Sequence, residues 1–166
     1  QDYQQAMLGL NYYRFIKPPI KLSRFKRLNT QSKAEFLSKL SGIGNKLVDI
    51  VSFTLMPNHF HLLLKQTADN GIARYLSLFT NSYTRYFNTQ NQRDGHLFQG
   101  QFKAVRIEPE EQLIHVSRYI HLNPYSSYIL KDTNDLETYP WTSFPEYTGK
   151  ASREICSTEL ILSHFS

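Results

Sequence analysis

Two histidines one residue apart, His59 and His61, interrupt an otherwise apolar run, LMPNHFHLLL at residues 55–64. If the run is extended, alternate side chains share a face, so both imidazoles stand on one side and Phe60 on the other. Side chains rooted about 7 Å apart on one strand face can converge on a single metal ion. A bare His-x-His also reads as a pair of surface or hydrogen-bonded histidines, and the pair alone leaves both readings open.

A second set of reactive groups lies downstream in EPEEQLIHVSRYIHLNP, residues 108–124. His115, Tyr119 and Asn123 follow at i, i+4 and i+8, so on a helix they line one face, with neighbours about 6 Å apart. Taken alone, Tyr119 reads as a half-exposed rim residue and Asn123 as a cap on the helix end. Taken with the histidines, His59, His61 and Asn123 offer two nitrogens and an oxygen, a set suited to Mg²⁺ or Mn²⁺.

The elements that must position these groups follow from periodicity. Residues 2 to about 15 carry Tyr3, Met7, Leu10 and Tyr13 or Phe15 at helical spacing, stopped by Pro18 and Pro19. Ser32, with Glu35 three residues on, caps a short second helix that Gly42 and Gly44 end. KLVDIVSFTL and HFHLLLKQ are β-rich runs joined at Met56-Pro57-Asn58 by a hairpin or a bend. Ile72, Tyr75, Leu76, Phe79, Tyr83, Tyr86 and Phe87 form the apolar stripe of a helix from Gly71 to Asn88. Alternation from Phe102 to Ile107 predicts a third strand, with Lys103 and Arg106 on opposite faces. Pro109 opens the last long helix, Leu113, Val116 and Ile120 form its buried stripe, and Pro124 closes it.

With 166 residues, 40% hydrophobic and 14% aromatic, the chain supports one domain with a core and not two. The single cysteine, Cys156, excludes an intramolecular disulfide, and no apolar run approaches the roughly 18 residues that span a bilayer. These features point to a cytoplasmic protein with no membrane partner. The first residue, Gln1, with no basic-then-apolar leader after it, reads as a truncation or processing point. A net charge of +5 and a pI near 9.3 favour a polyanionic partner. KPPIKLSRFKR at 17–27 gathers Lys17, Lys21, Arg24, Lys26 and Arg27 without an acid, and its prolines make it a loop. It is either a solvated connection or a phosphate-contacting arm.

LMPNHFHLLL, SYTRYFN, GHLFQGQFKAV, SRYIHLNP and YPWTSFPEY, in this order and spacing, resemble the REP-associated tyrosine transposases. These are relatives of the IS200/IS605 single-tyrosine transposases in the HUH nuclease superfamily. The resemblance spans about residues 45–148. It implies that HFH is the His-hydrophobic-His motif, that Tyr119 is the nucleophile, and that Asn123 is the third metal ligand. It also implies an α+β fold with a ferredoxin-like (RRM-like) antiparallel sheet and helices on one face, from which the usual N-terminal strand is missing here. The segment after about residue 124, anchored by Trp141, is expected to pack against the domain.

The chemistry so implied is cleavage and rejoining of single-stranded, hairpin-forming DNA by a monomer or homodimer. Tyr119 would attack a phosphate polarised by the metal, leaving a 5′-phosphotyrosine and a free 3′-OH. A free phenol has a pKa near 10, so the nucleophile needs a field or a base, and His115 is one candidate. Arg74, Arg85, His96, Lys103, Arg106 and the 17–27 arm are candidate DNA contacts. Gln101 stands where the family block continues with Arg, which weakens a contact there. A non-catalytic hairpin-binding regulator keeping the same scaffold is the alternative, although a pure binder has no physical need for His59, His61, Tyr119 and Asn123 together.

Overall fold

The computed structural model describes residues 1–165. Its longer elements are α1 (Asp2–Tyr13), α2 (Leu22–Lys26), α3 (Thr30–Gly42), β1 (Val48–Leu55), β2 (Phe60–Gln66), α4 (Gly71–Gln90) and α5 (Glu110–Ser126). Two one-turn helices, α6 (Phe144–Tyr147) and α7 (Glu159–Leu162), follow. The protein is α+β, with β1 and β2 forming a two-stranded antiparallel hairpin. Among the described residues no helix is long and apolar enough to cross a membrane.

Two compact units divide the chain: Gln1–Val48 with Gln66–Gln99, and Asp49–Lys65 with the chain from Gly100 on. In the first, α1 packs on α4. Gly9 suits that contact because a Cβ there would lie 3.0 Å from the Phe79 ring, closer than an ordinary van der Waals contact. Tyr75, fully buried, donates from its hydroxyl to the Leu10 carbonyl at 3.2 Å. α3 is capped by Asn29, whose side chain accepts from Ser32 N at 2.8 Å. Ser32 therefore lies inside the helix rather than at its cap. The 17–27 stretch is a loop only as far as Lys21, because LSRFK closes a turn of helix that buries Phe25.

The second unit is built around β1. Seven of its eight residues are buried, as expected of a strand covered on both faces and paired on both edges. One edge meets β2. On the other, Thr142 bridges Thr54 and Cys156 bridges Ile50. Leu55 N donates to Trp141 O at 2.8 Å, Ser143 N to Phe53 O at 2.9 Å and Ser157 N to Ile50 O at 2.8 Å. The C-terminal segment thus lines the second edge of β1, and the Trp141 side chain is half-buried there. Val51, Leu63, Ile120 and Ile161 form the core between hairpin, α5 and α7, with Leu113 and Val116 packed at its rim.

The strand expected at Phe102–Ile107 does not form. The segment is irregular, and of its residues only Ile107 reaches the core, while Val105 is 82% exposed. Alternation supplies a β face, but a strand exists only where a neighbouring backbone pairs with it. Lys103 and Arg106 accordingly lie on an exposed loop rather than on opposite faces of a sheet. Pro124 does not close α5, which runs on to Ser126 with Pro124 inside it. Proline lacks the amide donor, yet its fixed φ near −65° is helical, so the last turn completes past it.

Candidate functional site

β2 starts at Phe60, just after the turn in which Met56 N donates to His59 O at 2.9 Å. That closure makes the Met56-Pro57-Asn58 join a hairpin turn. Strand alternation puts His59, His61 and Leu63 on one face, and Leu63 belongs to the core that α5 covers. The histidines therefore look toward α5. Ile120 fills that core, and the residue before it, Tyr119, places its ring edge-on to His61, with centroids 5.6 Å apart.

The two imidazoles are themselves edge-to-face at 5.0 Å. Two imidazoles on one ion with metal–nitrogen bonds near 2.1 Å put their centroids about 5 Å apart, so the observed spacing fits a shared divalent ion. Protonation fits as well. His59 Nδ1 lies 2.7 Å from Asn58 Oδ1. A carbonyl oxygen only accepts, so Nδ1 donates to it, which in the neutral ring leaves the Nε2 lone pair for a ligand. His61 is half-buried, and burial first, then the neighbouring His59, hold its pKa below the usual histidine value. It is thus neutral and able to coordinate at neutral pH.

Asn123 departs from the sequence expectation. Spacing phases it with His115 and Tyr119, which are exposed, yet it is 5% exposed and buried near the end of α5. Its Oδ1 accepts from Ser127 Oγ at a long 3.4 Å, and no hydrogen bond joins it to either histidine. Among the described residues no group of three His, Cys, Asp or Glu is placed to hold a metal. An ion at this site would take the two imidazoles and fill its shell from the Asn123 amide, phosphate oxygens or water. Tyr119, by contrast, is 57% exposed, open to a strand arriving from solvent.

The basic candidates are all exposed. Lys17, Lys21, Arg24, Lys26, Arg27, Arg74, Arg85 and His96 belong to the first unit, Lys103 and Arg106 to the second. Lys26 sits 5.3 Å over the Tyr86 ring, and Arg106 pairs with Glu108 at 3.2 Å, an exposed contact of little energy. A groove of about 450 Å³ beside α5, lined by Arg118, His121, Leu122, Phe144 and Tyr147 among others, includes none of His59, His61, Tyr119 or Asn123. Of these four, His59 and Tyr119 are exposed, His61 is half-buried and Asn123 is buried.

Sequence reasoning passed over the polar residues on the buried face of α5. Ser117 Oγ lies 2.7 Å from Ser52 Oγ, and His121 Nε2 lies 2.7 Å from Ser143 Oγ. Their signal was two polar side chains at i and i+4 falling within a helix's apolar face.

The chain matches the family model described as transposase IS200-like over residues 11–123. That span exceeds half of the 166 residues, includes His59, His61 and Tyr119, and ends on Asn123. The chain belongs to the IS200-like transposase family, which makes it a transposase with DNA as its partner. Neither a curated protein nor a solved structure matches it.

Proposed function

We propose that this transposase cleaves and rejoins single-stranded, hairpin-forming DNA of the REP type through a covalent 5′-phosphotyrosine on Tyr119. The observation that carries the reading is the meeting of three groups from two elements: His59 and His61 at 5.0 Å on the hairpin, and Tyr119 on α5 at 5.6 Å from His61. A divalent ion, Mg²⁺ or Mn²⁺, would be held by His59 and His61, with Asn123 as the third ligand that the family resemblance implies, and would supply positive charge for the non-bridging oxygens of the scissile phosphate.

The remaining work belongs to the chain. Tyr119 Oη attacks phosphorus, an O–P bond forms, and the bond to the 3′ oxygen breaks. The phenolic proton is lost to solvent or a base, and the 3′ oxygen leaves as a hydroxyl. One phosphodiester is exchanged for another, so the reverse attack by a 3′-OH rejoins DNA without ATP. The exposed Lys17, Lys21, Arg24, Lys26, Arg27, Arg74, Arg85 and Lys103 are the candidate phosphate contacts, with His96 a candidate hydrogen-bonding group. Incubating the chain with labelled hairpin DNA and Mn²⁺ should give a covalent band on a denaturing gel. Tyr119→Phe or a chelator should remove it, and a band that survives Tyr119→Phe sinks the assignment of the nucleophile.

A further inference from the structure

We infer that Ser117 and His121 are positioning residues, a two-point clamp that fixes the rotation and register of α5 and thereby holds Tyr119 against His61. The inference rests on the reading of Tyr119 as nucleophile and adds which buried groups aim it.

Ser117 and His121 stand two residues before and two after Tyr119. At about 100° per residue both lie roughly opposite Tyr119 on the helix, about 6 Å apart along its axis. Each is buried and each bonds toward β1. Ser117 meets Ser52 hydroxyl to hydroxyl at 2.7 Å, and all of Ser52, Ser117, His121 and Ser143 are at most 6% exposed. His121 meets Ser143 at 2.7 Å, and Ser143 Oγ accepts from Phe53 N at 2.9 Å and lies 3.2 Å from Phe53 O. The two links therefore end on consecutive residues of β1, Ser52 and Phe53. His121 is gripped further by the rings of Phe144 at 5.5 Å and Tyr147 at 4.7 Å, and the Tyr147 hydroxyl donates to Val51 O at 2.8 Å.

The apolar core cannot do this alone. Burial of Val51, Leu63, Ile120 and Ile161 is non-directional, so a helix turned by some degrees loses little of it. A tyrosine hydroxyl stands about 9 Å from the helix axis, so a 10° turn carries it about 1.5 Å. Displacement of about 1 Å can cost on the order of 100-fold in rate. One pin would let α5 pivot, whereas two pins a helical turn apart do not.

The test uses the full chain, measures adduct formation at saturating hairpin DNA with Mn²⁺, and reads the ¹⁹F resonance of 3-fluorotyrosine placed at position 119. The double variant S52A/S117A removes both hydroxyls together, so neither is left buried and orphaned. It and His121→Leu should slow adduct formation by about 10- to 100-fold with half-saturating DNA unchanged, and should shift or broaden the ¹⁹F line. His121→Gln, which carries a donor to about the same reach, should restore most of the rate and the line. If S52A/S117A and His121→Leu keep the parent rate and the parent line, the clamp is only core packing and the inference is overturned. If the parent chain forms no adduct, the nucleophile reading fails, and the ¹⁹F line still decides whether these residues place the ring.

Discussion

The two sides of α5 put the same residue types to opposite uses. On the open side, His61 is half-buried, His59 is exposed, and Tyr119 reaches solvent beside them. On the closed side, His121 is 6% exposed, wedged between Phe144 and Tyr147, and joined to Ser143. Burial pushes its pKa down to about 4, which removes it from acid–base work near neutral pH. The difference shows that a histidine left half-open keeps a ring nitrogen available while a buried one becomes a fastener, and that one helix separates an exposed tyrosine from that fastener within two residues.

The comparison breaks most sharply at Tyr119. Tyr119→Phe should abolish the covalent adduct while leaving the melting temperature within about a degree, because a largely exposed hydroxyl contributes little to folding. A large drop in melting temperature would mean that the open side also carries structural load.

The closed side should show itself in acid. His121 has an ordinary pKa of 6.5 and a folded pKa near 4. Between those values the unfolded chain binds a proton that the folded chain refuses, so stability rises with pH across the window and falls away as pH drops through it. At about 1.4 kcal/mol per pH unit the loss approaches about 3 kcal/mol by pH 4. Denaturant melts from pH 7 to pH 4 should trace that slope, and His121→Gln should flatten it. An unchanged slope in the variant would place the acid sensitivity elsewhere.

A smaller effect sharpens the open side. His59→Ala should weaken Mn²⁺ binding in calorimetry by more than 10-fold, and Asn58→Ala by about 10-fold through loss of the hydrogen bond that sets the His59 tautomer. Equal affinity in both variants would move the ion away from this pair. The smallest change is expected from Arg27→Ala, a few-fold loss of hairpin affinity with a salt slope shallower by about 1. A sequence-selective loss instead would make Arg27 a base reader.

How much of this was legible in the sequence depends on whether the deciding contact was local. The apolar stripe of α4 and a break between two β-rich runs at Pro57 follow from short-range patterns, whereas the meeting of HFH with Tyr119 is long-range and legible only through resemblance to a family. The segment 102–107 misled because alternation describes one strand and pairing requires two. Phasing Asn123 with His115 and Tyr119 gives its face but not its exposure, because its burial is set by what covers the end of α5. Pro124 was read as a stop because its missing donor is visible in sequence, while its helix-compatible φ counts equally. The clamp was invisible because Ser52, Ser117, His121 and Ser143 come from distant segments, joined only by folding.

That last joining has a consequence for how the protein is made. Phe53 takes its outer partner from Ser143, 90 residues later in the chain, and Ile50 takes its own from Ser157. At about 5–20 residues per second, a ribosome leaves one edge of this apolar strand uncovered for roughly 5–20 s. For that interval the nascent chain carries an adhesive strip that only its own last quarter can seal. Crowding of nascent chains on one messenger should therefore lower the yield of folded protein more than an equal concentration of finished molecules would.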